Sequence, residues 1–302
     1  MRSRRVQATG AATHATDFTV TTEDVAEPGA GQVLVRNRFM LLGAVMRSLL
    51  PTMAGKTLGT VVASSDPAVP AGSAVVHMRG WQELTLLDAA QCRVVDGDNP
   101  VLLLSNGLTA YTGLVAAGLR PGETVYVSGA AGAVGSVAGR LARAMGAGRV
   151  VGSTGTAAKV PQLVNRLGYD DAFEHRDPAT VAKQLLEVAP DVYVDTVGGP
   201  LLTVTLPTLN PGGRVALCGA LAQQLGGAAE PTIDLLTVIR GRLSLHGVTG
   251  DPALEPAYLQ LVDEHRLDFA HTVVDGLEAA PQALLDLFAG RFVGTVLVRL
   301  AE

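Results

Sequence analysis

Residues 126–147 read YVSGAAGAVGSVAGRLARAMGA. An apolar run, TVYVSG, ends at Gly129, passes through Ala130 and Ala131, and enters a helical pattern near Ala133. Gly129, Gly132 and Gly135 fall at the join, so a strand must turn almost at once into a helix that packs on it. Gly132 would let a pyrophosphate approach the backbone, the helix N-terminus would supply N–H groups and a favourable dipole, and Gly135 would permit close helix–strand packing. Small residues that merely seat a helix on a sheet would give the same pattern, so the flanking sequence has to decide.

Four apolar runs follow one another from that point: ETVYVSG, GRVVGST, DVYVDTV and GGRVALCG. Between the first three of them lie AVGSVAGRLARAMGA, AAKVPQLVNRLG and PATVAKQLLEVA, each apolar at helical spacing. This alternation predicts an α/β fold with a doubly wound parallel sheet. The first hundred residues differ. Short alternating runs such as GQVLVRNRF and SAVVHM are broken by EPGAG, DPAVPAG and DGDNP, which predicts a β-rich unit. The texture changes at VLLLSNGLTAYTGLVAAGL. Near the end, AAPQALLDLFAGR reads as a helix and VGTVLVRL as a strand able to return to the first unit. The expected segments are 1–99, 100–270 and 271–302, without internal repeats.

The second strand ends in GSTGTAAK, where a dinucleotide fold places its ribose-reading residue. No Asp or Glu stands there to take a ribose 2′-OH. Ser153, Thr154 and, one turn on, Lys159 offer hydroxyls and a cation suited to a 2′-phosphate, which favours NADPH over NADH. The competing reading of Lys159 is a solvated helix charge.

Other chemistries find little support. A net charge of −5 with scattered arginines gives no field for a nucleic-acid backbone. No apolar run approaches the ~20 residues of a membrane span, and MRSRRVQATG leads into no apolar signal core, so a cytoplasmic location is expected. Cys92 and Cys218 lie far apart and read as buried small hydrophobes. His14, His77, His246, His265 and His271 lack metal-ligand spacing and read as surface or hydrogen-bonded residues, and no metal is expected. No Gly-x-Ser-x-Gly elbow occurs. Asp170 and Asp171 read as solvated turn residues.

The stretches GLTAYTGL, VSGAAGAVGSVAG, VVGSTGTAAK, DVYVDTVGG, LNPGGRVALCGALAQ and FAGRFVGTVLV, in this order, resemble the zinc-independent medium-chain dehydrogenase/reductases, in the branch of prostaglandin reductases, alkenal double-bond reductases and quinone oxidoreductases. The resemblance covers nearly the whole chain. It implies a GroES-like β-rich catalytic domain formed by both chain ends, an inserted Rossmann domain, NADP(H), no metal, a homodimer, and an enone or quinone-like small molecule as substrate. It further implies that Gly132, Ala133, Val134 and Gly135 hold the pyrophosphate and that Thr154, Gly155, Lys159 and His175 surround the adenosine phosphate. Thr196, Val197, Cys218, Gly219, Ala220 and Val248 would approach the nicotinamide and its ribose.

Several positions depart from the family pattern. His175 in EHR replaces the tyrosine of DYK, and Thr196 replaces the asparagine of DNVGG. The family's GxNxGK reads GRFVGT, so Phe292 and Thr295 stand at the Asn and Lys positions of a cofactor-holding segment. Two substrate-side tyrosines become Val45 and Gln224, while Tyr111 matches in a place where packing alone would explain it. The growing oxyanion of a reduction would then fall to Gln224, a backbone N–H near Val248 or the cofactor's ribose. These losses leave open a non-redox cyclase or isomerase on the same scaffold, or a protein that binds NADPH without turnover.

Overall fold

The computed structural model describes residues 1–9, 12–226 and 231–300. The elements run β1 (Arg2–Ala8), β2 (Phe18–Asp24), β3 (Gln32–Leu42), α1 (Met46–Leu49), β4 (Thr57–Ser64), β5 (Ala74–His77), β6 (Leu84–Asp88), β7 (Arg93–Val94), α2 (Pro100–Leu104) and α3 (Gly107–Ala116). They continue with β8 (Thr124–Val127), α4 (Gly135–Ala144), β9 (Arg149–Thr154), α5 (Val160–Arg166), β10 (Asp171–Glu174), α6 (Pro178–Val188), β11 (Val192–Asp195), α7 (Gly199–Thr205), β12 (Arg214–Leu217) and α8 (Leu221–Gln224). Then come α9 (Leu235–Gly241), β13 (Ser244–Gly247), α10 (Glu255–Glu264), β14 (His271–Asp275), α11 (Ala280–Phe288) and β15 (Thr295–Arg299). The chain divides into two compact units, Met1–Ser105 with His271–Glu302, and Asn106–Ala270.

The first unit is β-rich. A seven-stranded sheet runs β14-β15-β3-β4-β5-β7 with β6 paired to β3, beside the β1–β2 ribbon. Its pairings are antiparallel except β14 with β15. Residues 100–105, grouped with the inserted segment on sequence grounds, belong here: Leu104 is fully buried with Leu41, Leu58, Val76, Val95 and Leu297.

The second unit is a six-stranded parallel sheet in the order β10-β9-β8-β11-β12-β13. Strand order reverses between β8 and β11, which is where open α/β sheets bind their ligands. The central strands are covered on both faces, so Val125, Tyr126 and Val127 of β8 and the whole of β11 are buried. That double burial is why they read as unbroken apolar runs. Tyr126, Val151, Phe173, Tyr193, Leu202 and Val215 join the core between sheet and helices.

Two expectations change. Asp171 is not in a turn but opens β10, and Asp170 is tied down: its carboxylate accepts from the Val150 N–H at 2.7 Å and pairs with Arg143. Cys92 and Cys218 are only partly buried, Cys92 packing against the core cluster of Val33, Val35 and Leu87. Helices α2, α6 and α9 start with Asn99, Asp177 and Asp234, whose side chains accept the first backbone N–H groups. Helix α4, which follows the glycine turn, has no side-chain cap.

Candidate cofactor site

The turn between β8 and α4 is made possible by missing side chains. Gly129 has φ of +58°, and a Cβ there would overlap Thr196 Oγ1. A Cβ on Gly135 would lie 2.6 Å from Ala130 Cα, inside any tolerable contact. A Cβ on Gly132 would meet nothing closer than Gly129 O at 3.2 Å, so that backbone is open on its outer side. An open glycine backbone leading into an uncapped helix of ten residues is a fit for an anionic pyrophosphate.

The turn after β9 is built from buried polar groups. Ser153 and Thr154 are buried, and Ala130 N–H donates to Ser153 O at 2.8 Å, tying this turn to the glycine loop. Ser153 Oγ lies 2.7 Å from Tyr126 OH and 2.8 Å from His175 Nδ1. Burial pushes His175 down to about 4 from its usual value, so the ring is neutral near pH 7. Arg176 Nε donates to Gly155 O at 2.8 Å. Lys159 is about half buried, and desolvation lowers its ammonium pKa. A lysine, a neutral imidazole and hydroxyls, with no carboxylate at the strand end, suit a phosphate rather than a bare ribose diol.

The turn after β11 hangs on Asp195, which is fully buried. Its carboxylate accepts from Ser128 Oγ and Tyr193 OH at 2.7 Å, and from the N–H groups of Val197 and Gly198 at 3.0 Å. Ser128 Oγ accepts from Thr196 N–H at 3.0 Å, and Thr196 Oγ1 donates to Ser128 O at 2.7 Å. A buried carboxylate without such donors would be costly. Here it locks residues 196–198 onto the end of β8. Gly219, whose Cβ would sit 3.0 Å from Thr196 O, and Ala220 at the start of α8 follow the neighbouring strand end. Cys218 is pushed up to about 12, by burial first and by the Asp195 charge second, which keeps it a neutral thiol.

Val248 N–H donates to Leu217 O at 3.0 Å, so it is not available to an oxyanion. Gln224 is the partly buried last residue of α8. Tyr111 packs on Tyr258 with ring centroids 6.0 Å apart. In the first unit Val45 is 50% exposed. Phe292 packs against that unit's core, and Thr295 is fully buried at the start of β15.

Two family models match the chain. One described as a zinc-binding dehydrogenase covers residues 133–264, and one described as the N-terminal domain of oxidoreductases covers residues 5–95. The 2-alkenal reductase (NADP(+)-dependent) of Nicotiana tabacum is 31% identical over 91% of this chain and 89% of its own length. The chain belongs to the medium-chain dehydrogenase/reductase family. Within that family the relatives are the zinc-independent reductases. The NADPH-dependent curcumin reductase of Escherichia coli is 31% identical over 94% of this chain and 92% of its own. Among solved structures, CurA from Vibrio vulnificus superposes with a TM-score of 0.87 at 26% identity over 99% of both chains. Its complex with NADPH gives 0.85 at 25%, again over 99% of both chains.

Among the described residues of this medium-chain reductase, no three His, Cys, Asp or Glu side chains gather as a metal ion would need, and no helix is long and apolar enough to cross a membrane. Sequence reading missed Tyr126, Ser128, Tyr193 and Asp195. The signal was present: polar Tyr, Ser and Asp inside VYVS and VYVD runs buried on both faces must find partners.

Proposed function

We propose that this protein is an NADPH-dependent reductase of the C=C bond of α,β-unsaturated carbonyl compounds, or of quinones, working without a metal. The observation that carries the reading is the pairing of an open glycine cradle with a carboxylate-free turn at Ser153, Thr154 and Lys159. Relatives whose names specify NADP(H) and alkenal or curcumin substrates support it over most of the chain. When bound, NADPH supplies the hydride.

The chain's own residues bind and orient. Ala133, Val134 and Gly135 would receive the pyrophosphate on backbone N–H groups, while Gly132, whose own N–H is spent on Gly129 O at 2.8 Å, would leave the approach open. Ser153, Thr154, Gly155, Lys159 and His175 would surround the 2′-phosphate, and Thr196, Val197, Cys218, Gly219, Ala220 and Val248 the nicotinamide ribose. The neutral thiol of Cys218 would add no charge beside a nicotinamide held there. Phe292 and Thr295 are engaged in the first unit's interior, so the polar grip that relatives take from the last segment is missing and Lys159 carries more of the binding. Within the second unit, Gln224 on α8 is the candidate for an oxygen of the substrate, with Tyr111 as a lining residue; Val45 stays a substrate-side candidate of the first unit.

We also infer a homodimer, located in the cytoplasm. Strand β13 is a sheet edge, and α9 just before it exposes Leu235, Leu236 and Ile239 at 69%, 54% and 67%. Such an apolar edge is an association surface, and sedimentation at twice the monomer mass is the expected result. Two cysteines that form no disulfide agree with a reducing compartment.

Calorimetric titration with NADPH and NADH, followed by absorbance at 340 nm with a panel of enones and quinones, tests the function. NADPH should bind tighter and be oxidised by at least one member. Lys159→Glu should weaken NADPH by about a hundredfold and NADH by less than about threefold. Failure to bind NADPH overturns the reading; binding without oxidation across the panel leaves a non-redox enzyme or a binding protein.

A further inference from the structure

Tyr126 OH is fully buried, with its ring stacked between Phe173 (5.9 Å, 7°) and Tyr193 (5.0 Å, 19°). Among the described residues its only hydrogen-bond partner is Ser153 Oγ at 2.7 Å. A buried phenolic O–H must donate, and Ser153 is the only acceptor in reach. Ser153 Oγ then spends its own proton on its other partner, His175 Nδ1, at 2.8 Å. A ring nitrogen that accepts leaves the imidazole proton on the other nitrogen. His175 Nε2 has no partner among the described residues and faces Gly155, where a Cβ would stand 3.7 Å away.

We propose that Tyr126 and Ser153 are positioning residues that fix the tautomer of His175, so that its Nε2–H is held as a neutral donor toward the turn that takes the 2′-phosphate of the coenzyme. What the donor meets rests on the NADPH reading above; the tautomer does not. The reverse relay, with Nδ1–H donating to Ser153 and Ser153 to Tyr126, would leave the buried phenolic proton without an acceptor and aim an Nε2 lone pair at the anion. Burial independently keeps the ring neutral near pH 7. The charged sequence neighbours of the ring, Glu174 and Arg176, pair with each other at 3.1 Å while Arg176 also holds Gly155 O. On the sheet side it meets Ser153 and, beyond it, the neutral phenol of Tyr126.

Two measurements test this. Long-range ¹H–¹⁵N spectra of the coenzyme-free protein should show His175 as the Nε2–H tautomer. In Tyr126→Phe, which keeps the ring stack, and in Ser153→Ala, the signals should move toward a tautomer mixture. Calorimetry from pH 5 to pH 8 should show these variants losing about two- to fivefold in NADPH affinity at pH 8, with NADH unchanged. The loss should hold down to pH 5, because a ring pushed down to about 4 stays neutral across that range. A wild-type Nδ1–H tautomer, or a Tyr126→Phe spectrum identical to wild type, overturns the relay. Equal wild-type affinities for NADPH and NADH would instead overturn the phosphate reading while leaving the tautomer result intact. A loss that affects both coenzymes equally would mark Tyr126 as merely structural and overturn the proposal.

Discussion

His77 in the first unit and His175 in the second are both pushed to about 4, mainly by burial, yet they are held in opposite ways. His77 is knitted on both sides. Its Nδ1 accepts from Arg79 N–H at 3.1 Å, so Nε2–H donates to Asn37 Oδ1 at 3.0 Å. Asn37 Nδ2 in turn donates to Gln82 O at 2.8 Å, Thr85 Oγ1 at 2.9 Å and Arg79 O at 3.3 Å. His175 is held from behind only, by Ser153, and its other nitrogen is left toward Gly155. A histidine with both nitrogens spent is a fastener, whereas one oriented from one side is a donor kept in reserve. Burial and pKa do not separate the two; the partner count on the second nitrogen does.

The largest test of that comparison treats the two alike. Each folded-state pKa lies below the unfolded value of 6.5, so between about pH 6.5 and 4 the unfolded chain binds more protons and stability falls as pH falls. At pH 7 the contribution is intact, and by pH 4 each histidine costs about 3 kcal/mol. Urea unfolding at pH 7 and pH 4 should show this loss, and His77→Gln should remove about half of it. Saturating NADPH should restore part of the His175 share by binding the folded state alone. An acid slope unchanged in His77→Gln would mean that carboxylates elsewhere dominate.

The next test separates them. Asn37→Ala strips the buried His77 of its acceptor and takes one donor from Gln82 O, while Thr85 Oγ1 keeps Gln82 Nε2 at 2.7 Å. It should cost about 2 kcal/mol in denaturant midpoint-derived stability. Neither histidine's role was legible in the sequence. His77 was grouped with surface or hydrogen-bonded histidines and His175 was noticed only where relatives carry Tyr, because partners 22 and 40 residues away come from other strands.

The same logic explains what could be read of the fold. Strands β8, β9, β11 and β12 were visible because both faces are covered. The two edge strands were not: β10 is DAFE and β13 is SLHG, four residues each and mostly part-exposed, so no apolar run announces them. The glycine cradle was legible because its chemistry needs absent side chains at fixed spacing. The Asp195 lock and the Tyr126–Ser153 relay were not, since each is closed by residues on different strands.

The smallest effect on stability carries the most information about function. His175→Gln keeps a side chain able to reach Ser153 but loses the aromatic ring with its fixed N–H, and one of its neighbours already borders solvent. It should change stability at pH 7 by less than about 1 kcal/mol, against the larger cost expected at Asn37. NADPH affinity should nevertheless drop about tenfold, with NADH held within about twofold, because only the 2′-phosphate distinguishes the two coenzymes. Calorimetry beside urea unfolding reads both quantities on one preparation. If the stability loss matched that of Asn37→Ala and both coenzymes weakened together, His175 would be a second fastener, and the 2′-phosphate would be read by Lys159 and the hydroxyl of Thr154 alone.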